Sequence, residues 1–306
     1  MEIINKLEPS DMRTSVALGF FDGMHRGHQT VIRSAVSSCG DSMIPAVLTF
    51  YEQPRAVISG NTPELLINDE EKIKLFESIG VKRLYCLHFQ ELSNMSPEDF
   101  VEFVLLRTLN AKRVFCGFNY HFGNGGTADC EDLKRMCRLH NIIVTVNNPV
   151  IYQGHPISSS RIRDCIKSGD MISACTMLGR CFSYDLPVIH GKHLGRELGS
   201  PTINQDISDN QILPKFGVYA TFATINGKRI PSVTNVGIQP TFGADKPIAE
   251  TWILSDEISD LYGEKIEVSF IKFLRAEKKF DDLDELKAAI SNDAKRAKTI
   301  FNAYFD

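Results

Sequence analysis

The residues with the clearest chemical potential are two histidines, His25 and His28, in a glycine-rich segment that runs from residue 19 to residue 28. The segment follows an apolar run and opens a helical pattern, and the start of a helix presents free N–H groups and a partial positive charge to an anion. Glycines at positions 23 and 27 let the backbone approach a phosphate without a Cβ in the way. We therefore predict that both histidines point toward one bound triphosphate. The other predicted phosphate-binding residues of this segment are Gly19, Phe20, Asp22, Gly23 and Gly27.

A second glycine-rich segment, residues 190–199, follows a predicted strand and leads into Ser200-Pro201-Thr202-Ile203-Asn204. Residues two apart in an extended segment face the same way, so Thr202 and Asn204 offer two neutral oxygens together. Such a pair suits Mg²⁺, which keeps several waters and binds nucleotide phosphates. His190 and His193 have no third ligand nearby, so we interpret them as loop residues and not as zinc ligands. The predicted phosphate-binding residues of this second segment are Gly191, Lys192, Gly195 and Arg196.

The first half of the chain alternates strand and helix patterns, which predicts a parallel sheet covered by helices on both faces. The predicted strands are the apolar runs at 15–21, 44–50, 83–89, 112–118 and 142–146. One predicted helix covers residues 70–79 and is stopped by Gly80, and another opens at Ser96 with Pro97 in its first turn. Ligands of such a sheet bind at the carboxyl ends of its strands, where the histidine segment lies.

The second half carries short strand patterns at 184–190, 217–225, 228–236, 249–254 and 265–273, which predict a small antiparallel barrel. Asn226-Gly227 between two of them predicts a hairpin, because both residues tolerate a positive φ. A final helix is predicted to start at Asp281 or Asp282. The stretch from about 158 to 183 has a helical pattern, and we predict one domain over residues 1–183 and another over 184–306.

Composition narrows the classes of function. A net charge of −4 argues against nucleic acid as a main partner, because binding to a duplex neutralises several phosphates with Lys and Arg. No apolar stretch approaches the roughly 20 residues that span a bilayer, and the first residues do not form a secretory signal. The eight cysteines include no C-x-x-C pair, and several lie in apolar runs. We therefore expect reduced core thiols in a cytoplasmic protein, without a structural zinc site.

The first half resembles the nucleotidyltransferases with an H-x-G-H signature, in particular the amino-terminal module of bacterial bifunctional riboflavin kinase/FAD synthetases. Leu48-Thr49-Phe50, the segment 117–123 and the segment 157–163 match that family in order. The resemblance implies a Rossmann-like domain in which the phosphate of FMN attacks the α-phosphorus of ATP and releases pyrophosphate, a reaction that requires alignment and charge stabilisation. Asp22 then either assists a metal or caps the helix. The resemblance adds Ser159, Ser160, Arg161 and Arg163 as ATP-binding residues, and Asn119, Tyr120 and Phe122 as flavin-binding residues.

The second half resembles the riboflavin kinase domain, whose signature is a glycine-rich loop followed by P-T-x-N. The match continues at 217–219, 235–237, 240–242, 261–263 and 273–280. It implies that Glu250 accepts the proton from the ribityl 5′-hydroxyl as this hydroxyl attacks the γ-phosphate of ATP, with Mg²⁺ carrying charge on the transferring group. The implied flavin-binding residues are Arg275 and Glu277, and Arg275 either pairs with an acid or contacts the flavin.

The resulting hypothesis is a bifunctional enzyme that converts riboflavin to FMN and FMN to FAD with ATP, as a monomer or weak homo-oligomer. One alternative is an enzyme that retains a single activity, since Ser200, His121 and Ala128 depart from the family patterns. Another is a non-catalytic flavin- or nucleotide-binding regulator, which would not need a base at 250 or a metal-binding pair. A generic nucleotidyltransferase for another phosphorylated substrate would leave the second half unexplained.

Overall fold

A computed structural model describes residues 1–54, 57, 60, 63–190, 202–207, 210–241, 244–255 and 261–305, with only the backbone at 239–241, 244 and 245. The chain divides into two compact units, Met1–Ser159 and Ser160–Asp306. The helices that follow Ser159 belong to the second unit. One reason is the contact of Cys175 with its sheet, where Sγ donates to the Phe270 carbonyl at 3.4 Å. The predicted domain boundary between 183 and 184 stays a prediction.

The first unit is built on a six-stranded sheet whose paired strands all run parallel, as predicted. The strand order β1-β4-β3-β2-β5-β6 places β2 between β3 and β5. The edge strand β1 had no counterpart among the predicted strands. The strands are β1 Glu2–Ile4, β2 Thr14–Leu18, β3 Ile44–Phe50, β4 Arg83–Leu87, β5 Ala111–Gly117 and β6 Ile143–Asn147, and a short hairpin of β7 Ile151–Tyr152 and β8 His155–Pro156 follows.

Helices cover both faces of this sheet. Along β2, Val16 and Leu18 belong to one core cluster and Ala17 to the other, because alternate side chains of a strand point to opposite faces. The cluster that contains Val16 packs under the helical segments 97–108 and 130–139. The cluster that contains Ala17 packs under the helices at 26–37 and 69–79. The helices are α1 Arg26–Ser37, α2 Asp69–Ile79, α3 Phe89–Ser93, α4 Pro97–Asp99 with its continuation Phe100–Thr108, and α5 Cys130–Leu139.

The helix ends follow the predicted signals closely. Gly80 ends α2 in the left-handed conformation at φ 102°, and the hydroxyl of Ser96 accepts from the Asp99 N–H at 3.0 Å to cap α4. The sequence did not predict that α4 continues as a π-helix over Phe100–Thr108. Its wider turn is seen in the bond from the Leu109 N–H to the Val104 carbonyl at 2.9 Å. Within the described ranges, no helix is long and apolar enough to cross a membrane.

The second unit is a six-stranded antiparallel sheet in the order β10-β13-β12-β11-β14-β9. The sheet closes on itself, because Ile189 beyond β9 donates its N–H to the Asn204 carbonyl of β10 at 2.8 Å. The Gln205 amide also donates to the Leu186 and Ile266 carbonyls, each at 2.7 Å. The predicted barrel is confirmed, with one strand more than expected. The strands are β9 Phe182–Pro187, β10 Thr202–Asp206, β11 Gly217–Ile225, β12 Lys228–Thr241, β13 Ala244–Ile253 and β14 Lys265–Arg275.

Three helices accompany this barrel: α6 Ser159–Ser168, α7 Met171–Leu178 and α8 Leu283–Phe305. Asp282 begins α8, as predicted, because its carboxylate accepts from the Glu285 N–H at 2.8 Å. Ala297 of α8 is fully buried in a cluster with Val218 and Leu274 of the sheet. Leu283, in the first turn of this helix, is 64% exposed.

Local details of the second unit also agree with the sequence. Asn226 and Gly227 turn between β11 and β12 with φ of 50° and 75°, as a type I′ hairpin requires. All eight cysteines of the chain are free thiols, and seven of them are buried. Inside the barrel, four fully buried hydroxyls satisfy one another at 2.8–2.9 Å across three strands, which fixes the register of the sheet beside position 250. These hydroxyls belong to Thr221, Ser232, Thr234 and Thr251.

Candidate functional sites

The first site is located by the connectivity of the parallel sheet. From β2 the chain proceeds outward through β3 and β4, and it then returns to β5 on the other side of β2. A crevice forms at the carboxyl ends of two such strands, where ligands of open α/β sheets bind. The segment 19–28 follows β2 and the segment 118–123 follows β5. The fold therefore brings the histidine segment and the predicted flavin-facing loop to one edge.

The two histidines form a compact pair at the start of α1. His25 is the N-cap, since its Nδ1 accepts from the backbone N–H of His28 at 3.2 Å. The two rings are stacked, with centroids 3.6 Å apart and planes inclined by 19°. His25 is 5% exposed and His28 is half-buried against the ring of Phe21. Because Nδ1 of His25 accepts, the neutral ring of His25 carries its proton on Nε2 as a donor.

Glycines make this geometry possible. A Cβ at Gly27 would lie 3.1 Å from Cε1 of His25, so a larger residue would press on the capping ring. Gly23 has φ 77°, and a Cβ there would lie only 2.6 Å from Cδ1 of Leu66. The H-x-G-H signature therefore has a local structural reason. The His25 ring lies over the first turn of α1, where it needs glycine at position 27 and accepts from the backbone N–H of His28.

Burial and neighbouring groups determine the pKa of His28. Burial lowers the pKa of His28 well below its usual value, and the nearby charges of His25 and Lys72 lower it further. Nδ1 of His28 is buried without a hydrogen-bond partner among the described residues. An anion bound beside His28 would raise the pKa of this histidine again, so the unpaired nitrogen suits an anionic ligand.

Asp22 lies in the same turn and is 4% exposed. Its carboxylate accepts from the Leu66 N–H at 3.0 Å. His25, not Asp22, caps α1, so the alternative role of Asp22 as the cap of that helix is wrong. Ser159 reaches this turn as well, because its hydroxyl donates to the Asp22 carbonyl at 3.0 Å. The neighbouring Phe20 carbonyl accepts from Thr49 of the matching Leu48-Thr49-Phe50 segment at 3.0 Å.

The loop after β5 holds the predicted flavin-binding residues in different environments. Asn119 is exposed, Tyr120 is half-buried, and Phe122 is 5% exposed in the core, packed against Phe100. Burial raises the pKa of Tyr120. Nδ1 of His121 lies 3.1 Å from the Asn119 carbonyl, which shapes the tip of the loop. The roles of these residues toward flavin stay predictions.

Ser160, Arg161 and Arg163 follow Ser159 in the first turns of α6, in the second unit. Their predicted role in binding ATP stays a prediction. The predicted phosphate-binding residues Gly191, Lys192, Gly195 and Arg196 lie outside the described residues, as do His193, Ser200 and Pro201.

The second site is centred on Glu250 of β13. Asn204 of β10 lies directly opposite Glu250 in the sheet, and the hydroxyl of Thr202 donates to Oε1 of Glu250 at 2.8 Å. Residues opposite one another or two apart along a strand share a face, so all three side chains lie on one side of the barrel wall. The structure therefore brings Glu250 beside Thr202, which lies 48 positions earlier in the chain, and beside its neighbour Asn204.

A third strand extends this row. Asn235 of β12 lies opposite Glu250 on its other side, and its amide donates to Oε1 of Glu277 at 3.1 Å. The other end of the amide, Oδ1, is buried and has no partner among the described residues. A Cβ at Gly237 would lie 2.3 Å from Oε1 of Glu277, so glycine at 237 makes room for this carboxylate.

Arg275, at the end of β14, pairs with an acid. Its Nε donates to Oδ2 of Asp293 on α8 at 2.8 Å, and the Asp293 side chain is only 3% exposed. The guanidinium also lies 5.5 Å from the ring centroid of Phe280. Of the two predicted roles, the contact with an acid is seen in the structure, and the contact with flavin stays a prediction.

Two residues of these sites were missed at the level of sequence. Lys72 on α2 is 6% exposed and lies beside Phe20, with Nζ 4.3 Å from the ring centroid. The sequence places Lys72 four residues before the buried Phe76, and this spacing indicates that both side chains lie on the inner face of the helix. Asn235 lies in a segment that matched the family pattern, but that match alone assigned it no role.

Comparisons with known proteins match both halves of the chain. A family model described as FAD synthetase matches residues 7–161, and one described as riboflavin kinase matches residues 178–301. A bifunctional riboflavin kinase/FMN adenylyltransferase of Listeria monocytogenes is 32% identical over 298 residues, which is 96% of this chain and 94% of that protein. The Escherichia coli protein of the same name is 30% identical, covering 94% of this chain and 92% of that protein.

A solved structure covers almost the whole chain. It is titled a macrolide-efflux protein from Streptococcus pneumoniae and matches with a TM-score of 0.88 and 29% sequence identity. The match covers 97% of this chain and 99% of that one. This chain therefore shares the fold of that protein through both units.

Proposed function

The chain belongs to the bifunctional riboflavin kinase/FMN adenylyltransferase family, and from this premise we propose that it makes FMN and then FAD. In the first step the γ-phosphate of ATP is transferred to riboflavin. In the second step the AMP part of another ATP is joined to FMN, and pyrophosphate leaves. The observation that carries this proposal is that two family models, one for each activity, match successive parts of a single chain.

For the kinase step, we propose Glu250 as the base. Its carboxylate accepts a hydrogen bond from Thr202, which holds this side chain in a fixed position. A proton acceptor on a barrel wall can take the proton of the ribityl 5′-hydroxyl as this oxygen attacks the γ-phosphorus. Thr202 then serves both to orient the base and to present its own oxygen.

The same residues suit Mg²⁺. The hydroxyl hydrogen of Thr202 is directed at Glu250, which leaves the lone pairs of Oγ1 available for a cation. Asn204 is 6% exposed and shares that face, and an amide oxygen is a hard ligand of the type that Mg²⁺ prefers. Few protein ligands are needed, because nucleotide phosphates and water complete the coordination. When bound, the metal neutralises charge on the phosphates during transfer.

For the adenylyl transfer, we propose that the stacked histidines bind the phosphates of ATP at the start of α1. Nε2 of His25 and the ring of His28 supply donors, and the helix terminus supplies a partial positive charge. No covalent intermediate is needed, since alignment of the FMN phosphate with the α-phosphorus is sufficient. The further ATP-binding residues that we propose are Ser159, Ser160, Arg161 and Arg163.

Flavin recognition is assigned on the same basis. We propose Asn119, Tyr120 and Phe122 for FMN in the first unit, and Arg275 and Glu277 for riboflavin in the second. Glu277 is exposed and held by Asn235, so its carboxylate is available at the rim of the second site. We also propose a cytoplasmic location, where ATP is available and where reducing conditions suit eight free cysteines.

Two variants test the assignment of the two sites. Glu250→Gln should abolish FMN formation from riboflavin and leave FAD formation from supplied FMN intact, because only the base of the kinase step is lost. His28→Gln should show the reverse pattern. Glu267→Gln, a change of another carboxylate in the same barrel, is the matched control and should retain both activities. Loss of both activities in a folded Glu250→Gln protein would contradict the separation of the sites.

A further inference from the structure

Lys72 is the least explained buried charge in the first unit. Its side chain is 6% exposed, and it makes no hydrogen bond or ion pair with any residue that the structure describes. Its Nζ lies over the face of the Phe20 ring, 4.3 Å from the ring centroid. Exposed lysines need no partner, but a buried ammonium without a hydrogen-bonded carboxylate is uncommon.

The surroundings of Lys72 belong to the predicted ATP site. It lies in the first turn of α2, beside Phe20 of the segment 19–28. Its charge is close enough to lower the pKa of His28, and Asp22 of the same segment partly offsets the effect of burial on Lys72. Three positively charged or chargeable groups, Lys72, His25 and His28, therefore converge where β2 ends.

Burial acts on this lysine in one direction, and the Phe20 ring and the nearby carboxylates of Asp69 and Asp22 act in the other. Burial lowers its pKa, because the charged form loses hydration. The Phe20 ring compensates only in part, since a cation–π contact is worth about 0.5–2 kcal/mol. A lysine with a purely structural role would be better replaced by an apolar residue of similar length. An anion bound beside Lys72 during function would offset the cost of burying its charge.

We propose that Lys72 binds the triphosphate of the ATP that enters the adenylyl transfer, an inference that rests on the proposed function. The anion is assigned to ATP and not to FMN because Phe20 and His28 belong to the turn at the start of α1, which suits a polyphosphate. Lys72 acts as a binding residue that adds a fixed positive charge beside the two histidines. The ammonium on its long stem reaches from α2 to the phosphates that leave as pyrophosphate.

The test is Lys72→Met, which keeps the length of the stem and removes the charge. Lys74→Met is the matched control, an exposed lysine two residues further along the same helix. With FMN and ATP each varied, kcat/KM for ATP should fall about 10- to 100-fold in Lys72→Met, as expected for a lost charge-assisted hydrogen bond. The KM for FMN and the kinase activity on riboflavin should stay unchanged, as should all parameters of Lys74→Met.

Stability separates this role from a structural one. Removal of a buried, unpaired charge should leave the urea midpoint of the first unit unchanged or raise it. A large fall in that midpoint together with the loss of activity would overturn the proposal. If Lys72→Met does not fold, Lys72→Arg and Lys72→Gln replace it, and equal kcat/KM values for ATP in these two variants would overturn the proposal.

Other results are equally decisive. A wild-type kcat/KM for ATP in Lys72→Met, or an effect on the KM for FMN alone, would overturn the assignment to ATP while the proposed function stands. Failure of the wild-type protein to make FAD from FMN and ATP would contradict the proposed function itself. The two failures are thus distinguishable in one set of assays.

Discussion

Replacement of Arg275 by methionine should destabilise the second unit substantially. The variant removes the bond from Nε to Asp293, which is 2.8 Å long, and leaves a carboxylate with a 3% exposed side chain without its cation. Loss of one partner of a buried pair costs about 3–5 kcal/mol. Because the Arg275 side chain is 27% exposed, we expect the lower end, about 3 kcal/mol of unfolding free energy.

Urea unfolding measures this loss in the relevant unit. Trp252 is the single tryptophan of the chain and lies on β13 beside a cavity of about 360 Å³ that is lined by α8, the helix that carries Asp293. Its fluorescence therefore reports the second unit alone. With a slope of about 2 kcal/mol per molar urea, the midpoint should fall by about 1.5 M. The double variant Arg275→Met/Asp293→Asn should recover most of the loss, because no unpaired charge remains.

This experiment also separates the two roles of Arg275. A midpoint within about 0.3 M of wild type, with a raised KM for riboflavin, would refute the structural argument and leave Arg275 as a flavin-binding residue. A lower midpoint in Arg275→Met that the Asp293→Asn change does not repair would contradict the assignment of the loss to an uncompensated carboxylate.

Three further predictions concern other parts of both units. Gly217→Ala should lower the Trp252 midpoint by more than Arg275→Met, because φ is 141° and a Cβ would lie 2.5 Å from the Arg275 carbonyl; an unchanged midpoint would contradict this. Thr202→Val should slow FMN formation at least about 10-fold, because it removes both the hydrogen bond to Glu250 and the proposed Mg²⁺ ligand, and Thr202→Ser should not, as steady-state kinetics will show. The lowered pKa of His28 means that the unfolded chain takes up this proton first as pH falls through about 6.5, so acidification should destabilise the wild-type first unit more than His28→Asn. Hydrogen exchange of α1 at pH 7.5 and 5.5 measures that difference, and equal losses in both proteins would contradict it.

Most of the fold followed from periodicity and turn chemistry. Alternating helix and strand patterns gave the parallel sheet, and Gly80, Ser96 and Asn226-Gly227 marked ends and turns that the structure confirms. The π-helical continuation of α4 and the edge strand Glu2–Ile4 were not predictable in this way. A π-helix keeps an apolar pattern close to that of an α-helix, and a three-residue strand is too short to show a period.

The sites were only partly predictable for a physical reason. Motif spacing located His25, His28 and Thr202 within their own segments, because local geometry fixes such residues. Lys72 and Asn235 depend on contacts between distant parts of the chain, such as Nζ over Phe20 and the amide bond to Glu277. Contacts between distant parts of the chain produce no regular spacing in the sequence, so these two residues could be identified only from the structure.

The central claim, that one chain performs both reactions, is tested most directly by the product balance of the wild-type protein. Incubation with riboflavin, excess ATP and Mg²⁺, followed by chromatography of flavins and nucleotides, should show FMN first and FAD later. Each FAD formed should be accompanied by one ADP from the kinase step and one pyrophosphate from the adenylyl transfer. FMN that accumulates with ADP but without pyrophosphate, or riboflavin that remains unchanged, would contradict the account.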